Sequence, residues 1–371
     1  LKHESTTAES PDSEASGANH PAEVAWFAAL CDDDYEYLGV PDPKLASSFP
    51  HCREITLAAD RCGYDNILLP SGYTLGIDSV SFAGGVAPDV KQMQLLLAVR
   101  MGEMWPPQSA RQLATLDQML NGRLTINIIS SDIPGEQLAS APRYQRAREC
   151  MRVLRALLNG EGVEMDGEFL KLSVEPPRAS TVSGKCPPFY FGGFSDDAKD
   201  TAASDADVFL TWPDTVKSVG QTIAEMKQRA AQYNRTLKFG LRTHMIVRET
   251  ESEALDAAKS LLSRLNPQEG ERIRKRSLDA TSYGVQRQAE LRDQADADDF
   301  VEPGLWTGIG RARSGAGAAL VGDPDQIKAK LVAYQAAGVD AFILSGYPHR
   351  KECERFAALV LEDFPHAPLP R

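Results

Sequence analysis

Apolar residues along this chain fall into short unbroken runs separated by longer stretches with helical spacing. Residues 24–30, 66–69, 95–99, 124–129, 189–191, 207–212, 238–247 and 341–344 each hold a run of the length and composition of a buried strand. Between them, 49–62, 108–120, 139–158, 214–233, 251–264 and 327–337 place their apolar residues on one face of a helix. One piece of the pattern recurs. A helix stops at Gly63 and Tyr64-Asp65 leads into a strand; another stops at Gly338 and Val339-Asp340 does the same; Ser204-Asp205-Ala206-Asp207 leads into Val208-Phe209-Leu210. A helix, its cap, an aspartate and an apolar strand, repeated, is the grammar of β/α units. Strands joined through helices run parallel and are covered on both faces, so eight of them are expected to close into a (β/α)8 barrel, with its sites at the ends of the strands.

The spacing is uneven in two places. Residues 160–186, with Pro176, Pro177 and Gly184, read as an excursion before the fifth strand. Residues 265–322 are long and highly charged and end in RARSGAGAALVGD. They are either a lid or solvated decoration, and Arg311 and Arg313 beside Gly315 and Gly317 favour a lid that grips an anion. Residues 1–20 are polar and aperiodic and are expected to be disordered, leaving 21–371 as a single barrel domain with these two insertions.

Composition narrows the class. Hydrophobic residues make up 42% and charged ones 25%, ordinary values for a globular protein, and the net charge of −12 speaks against nucleic-acid binding. The six cysteines form no CxxC pair, which reads as reduced thiols in a cytoplasmic protein, with neither a disulfide framework nor a zinc site. No apolar run is long enough for a membrane span, and the N-terminal residues lack the apolar core of a signal peptide.

The strand ends carry the candidate chemistry. The fourth strand and its end supply Asn127, Ser130 and Ser131, with Tyr144 and Arg146 in the next helix; neutral donors with few carboxylates suit a large, hydrogen-bonded aromatic cofactor. Between the fifth and sixth strands, Gly192-Gly193-Phe194-Ser195 opens a helix, where backbone N–H groups and the helix dipole could hold a phosphate, or where the glycines merely permit a tight turn capped by Ser195. On the seventh strand, alternation puts Arg242 and His244 on one face. The imidazole there is either functional or a buried histidine satisfied by a carbonyl. The eighth strand delivers Tyr347 and His349, candidates for proton handling or parts of an ordinary turn. No metal-ligand spacing, GxSxG elbow, P-loop or GxGxxG after a strand occurs, which removes the usual hydrolases, kinases and nicotinamide-first dehydrogenases.

ARQLATLDQMLNGRL, at 110–124, resembles the signature helix of the bacterial-luciferase-like flavin monooxygenases. FYFGGFSDDA, LRTHMIVRET, the LWTGIG to VGD run and FILSGYPH are similar, in order and spacing, to the alkanesulfonate monooxygenase branch over about residues 23–365. The resemblance implies a barrel that receives FMNH2 from a separate NAD(P)H-dependent flavin reductase, uses O2 to oxygenate an organosulfonate, and releases sulfite and an aldehyde; a homodimer or homotetramer is expected. It also implies that Arg242, His244, Arg313, Tyr347 and His349 form the catalytic group, with Arg313 on the lid, and that Asn127, Ser130, Tyr144, Gly193, Phe194 and Ser195 contact the flavin. The chain departs from the family where Leu75 stands at the position expected for a cysteine and where Leu30-Cys31 replaces a histidine. The apolar Leu75 suggests a sulfonate with an apolar tail. A sulfone, an alkane or an amine-containing acid as substrate, a deazaflavin-dependent dehydrogenase, and a flavin-binding barrel without catalysis are the other readings.

Overall fold

The computed structural model describes residues 21–31, 34–275 and 282–370; the tail at 1–20 lies outside these. The chain begins β1 (Glu23–Phe27), α1 (Phe49–Arg61), β2 (Asn66–Leu69), α2 (Ser79–Val86), β3 (Gln94–Arg100), α3 (Pro106–Met119), β4 (Leu124–Ile129) and α4 (Ser140–Leu158). A hairpin of β5 (Val163–Asp166) and β6 (Lys171–Val174) precedes β7 (Phe189–Gly192), α5 (Asp196–Asp205), β8 (Val208–Thr211), α6 (Val216–Gln232), β9 (Lys238–Val247) and α7 (Glu251–Leu262). Then follow α8 (Pro267–Arg274), α9 (Tyr283–Asp293), β10 (Phe300–Glu302), β11 (Leu305–Trp306), β12 (Ala319–Gly322), α10 (Pro324–Ala336), β13 (Ala341–Ser345) and α11 (His349–Leu359).

The parallel strands run β13-β1-β2-β3-β4-β7-β8-β9, and β9 pairs back onto β13, closing a barrel of 8 strands. The recurrent aspartate has a structural reason. Asp65, just before β2, accepts a hydrogen bond from the Val24 N–H of β1 at 2.8 Å; Asp207 accepts from Phe189 of β7 at 2.8 Å; Asp340 accepts from Phe239 of β9 at 2.9 Å. Each carboxylate satisfies the first orphan N–H of the neighbouring strand and so sets the stagger of the pair. Gly63 and Gly338 take φ of +84° and +108° after α1 and α10, a conformation that lets the chain reverse toward the strand.

Alternation along the strands sorts two layers. Ala25, Phe27, Leu68, Leu96, Tyr190, Val208, Leu210 and Ile343 pack together inside the barrel, while Val24, Trp26, Ile67, Leu69, Leu95 and Leu97 pack in the layer under the helices. The end opposite the site is closed by a polar network. There the Tyr190 hydroxyl donates to Glu23 Oε1 at 2.9 Å, Asn66 Nδ2 donates to Thr125 Oγ1 at 3.1 Å, and the backbone N–H of Leu369 donates to Glu23 Oε2 at 3.2 Å. Burial outweighs these donors and pushes the Glu23 carboxyl up to about 7.

The structure differs from the sequence reading in several places, and the helices α2 and α11 were not expected from it. The first strand ends at Phe27, not at Leu30, although 28–30 stay buried. The excursion at 160–186 contains a two-stranded hairpin. Among the described residues of 265–322, three strands join the sheet. β9 is long enough to pair with β8 through Lys238–Leu241 and then, on the same edge, with β12 through His244–Val247, and β11 and β10 extend that edge antiparallel. α9 is stitched to the end of β8, because Arg287 reaches Asp214 at 2.7 Å and Gln288 bridges the Pro213 carbonyl (2.8 Å) and the Gly317 N–H (2.9 Å). Periodicity missed β12 because only three apolar residues, Ala319 to Val321, stand before Gly322 and follow directly on a small-residue run.

Candidate active site

The site grows from β1, β9 and β13 at their C-terminal ends. Phe27 points into the barrel and carries the Arg242 guanidinium 4.4 Å from its ring centroid and that of Arg313 at 5.5 Å. Stacking of this kind holds each planar cation in place without neutralising it. Arg242 is buried. Its Nη1 donates to the Thr243 carbonyl at 2.8 Å, its Nη2 has no hydrogen-bond partner, and no carboxylate pairs with it among the described residues. Burial lowers it to about 10, still a cation at neutral pH. A buried cation in this state is prepared for an anion that comes from outside the protein.

His244 lies one position beyond Thr243 on the same face as Arg242 and is wholly buried. Its Nε2 is 3.1 Å from the Ala316 carbonyl and its Nδ1 is 2.8 Å from the Ser345 hydroxyl. A carbonyl only accepts, so Nε2 carries the hydrogen and Nδ1 receives that of Ser345. Burial, then the Arg242 charge, then His349, hold this imidazole well below its ordinary range, so it is neutral. The ring is thus satisfied by a carbonyl, as one of the two sequence readings had it, and it also stacks on Tyr347 beside Arg242.

Tyr347 stacks on His244 with centroids 5.2 Å apart, and its hydroxyl accepts from Arg313 Nη1 at 2.8 Å. Burial raises it to about 12 against the pull of Arg313, so the phenol keeps its proton. His349 follows at the first turn of α11, with its ring 5.1 Å from Tyr347 and 5.6 Å from Phe27. Arg242, His244, Arg313, Tyr347 and His349 thus converge on one space. Cys31 faces it too: burial raises the thiol, while Arg313 and Arg242 pull it down. A Cβ built on Gly72 would lie 3.4 Å from Cys31 Cβ and 3.7 Å from Leu75 Cβ, so the positions where the chain departs from the family adjoin one another.

The residues expected at the flavin sit at the ends of β4 and β7. Asn127 is buried on β4, and the Ser130 Oγ just beyond it is buried with no partner. A Cβ on Gly193 would meet Ala198 Cβ at 2.5 Å and stand 3.4 Å from the Tyr144 hydroxyl, so only glycine leaves this close approach open. Phe194 packs on Trp212 at 5.6 Å, and Gly284 of α9 covers that pair at a distance that would place its Cβ 2.5 Å from the indole. Ser195 caps α5 by accepting from Ala198 N at 3.3 Å. Asp196 and Asp197 occupy the first turn of α5 and offset part of the dipole there, while Arg146 is committed to Glu136 at 2.7 Å and Ser131 to Arg100. An orphaned hydroxyl, a glycine cradle and a phenol fit a flat, hydrogen-bonding ring system. No cluster of three metal-ligating side chains exists among the described residues.

Sequence reasoning passed over Phe27 and Ser345 as site residues, took Asp34 only as part of an acidic loop, and did not single out His51. Alternation from Ala25 would have pointed Phe27 inward. Asp34 sits in a run of three aspartates that reads as a solvated turn, and nothing local shows that it is buried against His349.

The chain forms a closed parallel barrel with a cationic cluster at its strand ends, and residues 25–341 match the luciferase-like monooxygenase family, to which it belongs. Within it, the chain is 60% identical to a sulfoquinovose monooxygenase of Novosphingobium aromaticivorans, covering 95% of this chain and 99% of that one. It is 49% identical to another sulfoquinovose monooxygenase, from Agrobacterium fabrum, over 94% and 91%. Among solved structures, the EDTA monooxygenase of Chelativorans sp. BNC1 shares the fold with a TM-score of 0.74 at 17% identity, covering 94% of this chain and 96% of that one. Long-chain alkane monooxygenase does so at 0.72 and 16%, covering 92% and 91%. No helix among the described residues is long and apolar enough to cross a membrane.

Proposed function

We propose that the protein is a two-component monooxygenase that takes FMNH2 from a separate NAD(P)H-dependent reductase and uses O2 to cleave the C–S bond of sulfoquinovose, a hexose with a sulfonate on carbon 6. The reaction balances as R-CH2-SO3− + O2 + FMNH2 → R-CHO + HSO3− + FMN + H2O. The observation that carries this reading is Arg242: a buried, permanently charged guanidinium with an unused N–H, stacked on Phe27 beside a second arginine. A sulfonate stays anionic at every physiological pH and presents three acceptor oxygens, which a planar fork of donors matches. The two curated relatives support the sugar over the apolar-tailed alkanesulfonate expected from the sequence.

Reduced flavin bound against Ser130, Tyr144 and Gly193 would supply the electrons that activate oxygen. The chain's own residues do the rest. Arg242 and Arg313 hold the sulfonate, and the Tyr347 hydroxyl, hydrogen-bonded to Arg313, couples the closing segment to the site. His244, neutral and held at both nitrogens, keeps Tyr347 in place by stacking.

The experiment is sulfite release with a flavin reductase, FMN and NADH, run on sulfoquinovose, methanesulfonate, octanesulfonate and an alkyl sulfone. Sulfite from sulfoquinovose well above the others is expected. Turnover of octanesulfonate in preference to the sugar would return the substrate to the alkanesulfonates. No sulfite from any sulfonate would sink C–S cleavage.

A further inference from the structure

Loss of sulfite from carbon needs a base, and the groups described so far are poor ones. Arg242 and Arg313 are cations, and Tyr347 keeps its proton. His244 has both nitrogens engaged, so it could accept a proton only by breaking its bond from Ser345. His349 differs. Its Nδ1 lies 3.1 Å from Asp34 Oδ1, the same oxygen that accepts the backbone N–H of His349 at 2.9 Å and that of Tyr35 at 2.9 Å, and its Nε2 is buried with no hydrogen-bond partner. The other oxygen, Oδ2, meets His51 Nε2 at 2.8 Å.

Although burial acts to raise it, the Asp34 carboxyl is brought down to about 2 by His349, by His51 and by the backbone N–H. A carboxylate only accepts, so both imidazoles must turn an N–H toward it. His349 therefore carries its hydrogen on Nδ1, and Nε2 presents a bare lone pair beside Tyr347 and Phe27. The groups around this imidazole are Asp34 and Tyr35 from the segment after β1, Tyr347 on its own loop, Arg242 and His244 from β9, and Arg313 from the loop before β12. Burial and the two arginines hold it below its ordinary range while Asp34 pulls the other way, so it is neutral and able to take a proton.

We infer that Asp34 is a positioning residue that fixes His349 in the tautomer whose bare Nε2 takes the hydroxyl proton when the oxygenated sulfonate breaks down. This rests on the C–S cleavage proposed above. Monooxygenation places a hydroxyl on the carbon that bears sulfur. His349 Nε2 then takes the O–H proton, the O–H electron pair becomes the second C–O bond, and the C–S pair leaves with sulfite. The Asp34 carboxylate stabilises the imidazolium so formed, as a carboxylate behind a general-base histidine does elsewhere. His51 occupies the second carboxylate oxygen and keeps the first on His349.

Two measurements test this. The nitrogen NMR spectrum of 15N-histidine-labelled wild-type protein, recorded without substrate, is expected to show His349, assigned by its loss in His349→Gln, as Nδ1-protonated with an unprotonated Nε2; a hydrogen on Nε2 overturns the inference whatever the substrate proves to be. In Asp34→Asn, kcat for sulfite release should fall on the order of 100-fold with KM changing by less than about 3-fold, and the acid limb of the kcat profile should move down by about 1 pH unit, since the lost charge lowers the pKa of the imidazole. An unmoved limb, or a loss confined to KM, overturns it. Failure of sulfoquinovose as substrate would appear separately, as absent sulfite from the wild-type enzyme, and would leave the tautomer assignment untouched.

Discussion

The Ser345 hydroxyl stands 2.8 Å from His244 Nδ1, and the two residues are register partners on adjacent strands, β13 and β9. The imidazole is thereby oriented by the sheet itself, and Tyr347, stacked on it at 5.2 Å, inherits that orientation.

Ser345→Ala should therefore disturb more than one hydrogen bond. A buried acceptor would lose its donor, a penalty of about 1–3 kcal/mol. Thermal melts should show that loss, and kcat/KM should drop roughly 10-fold as Tyr347 and its contact with Arg313 loosen. A variant with unchanged activity and unchanged melting would show that the ring is held without Ser345.

Arg313 lies in the segment before β12 and touches both Phe27 and Tyr347. Arg313→Ala is expected to lower kcat/KM by about 100-fold, or roughly 3 kcal/mol, with circular dichroism and melting unchanged. Arg313→Lys should not restore it, since an ammonium lacks the planar fork. Turnover near wild type in Arg313→Ala would mean that 265–322 has no part in binding.

Glu23 offers a stability prediction with a definite sign. Its carboxyl is at about 7 in the folded protein against 4.5 ordinarily. The folded state holds the proton more tightly, so this contribution is complete below about 4.5, declines as pH rises and is lost above about 7. Wild type should lose on the order of 3 kcal/mol across that window from this group alone. Glu23→Gln cannot ionise, so urea midpoints measured at pH 5 and pH 8 should differ less for the variant. Equal differences in the two proteins would refute the assignment.

Gly193→Ala would force a Cβ to within 2.5 Å of Ala198 Cβ and crowd the Tyr144 hydroxyl. The chain must shift by about an ångström just where the flavin is proposed to lie, and FMNH2 binding should weaken roughly 10-fold, about 1.4 kcal/mol. Anaerobic fluorescence titration reads it. The wild-type protein should purify colourless and bind FMNH2 more tightly than FMN, as expected for a reduced flavin delivered by a separate enzyme. A yellow cofactor that survives dialysis would contradict that.

The amino-acid sequence alone determined the alternation of eight apolar strands with helices, because burial on both faces demands continuous apolar runs and a crossover helix demands a 3.6-residue period, and both are local. The aspartate before β2, β8 and β13 was visible as a repeat for the same reason. Motif order brought Arg242, His244, Arg313, Tyr347 and His349 into consideration, and alternation placed the first two on one face. The tertiary structure decided what those groups can do. That His244 is held at both nitrogens depends on Ser345 and Ala316, 101 and 72 residues away; that His349 is left with a bare Nε2 depends on Asp34, 315 residues away. Likewise β12 became a strand only because β9 outruns β8 and offers it an edge. Protonation state, tautomer and edge pairing are set by atoms within a few ångströms in space, and closing the barrel brings the two ends of this chain within that distance.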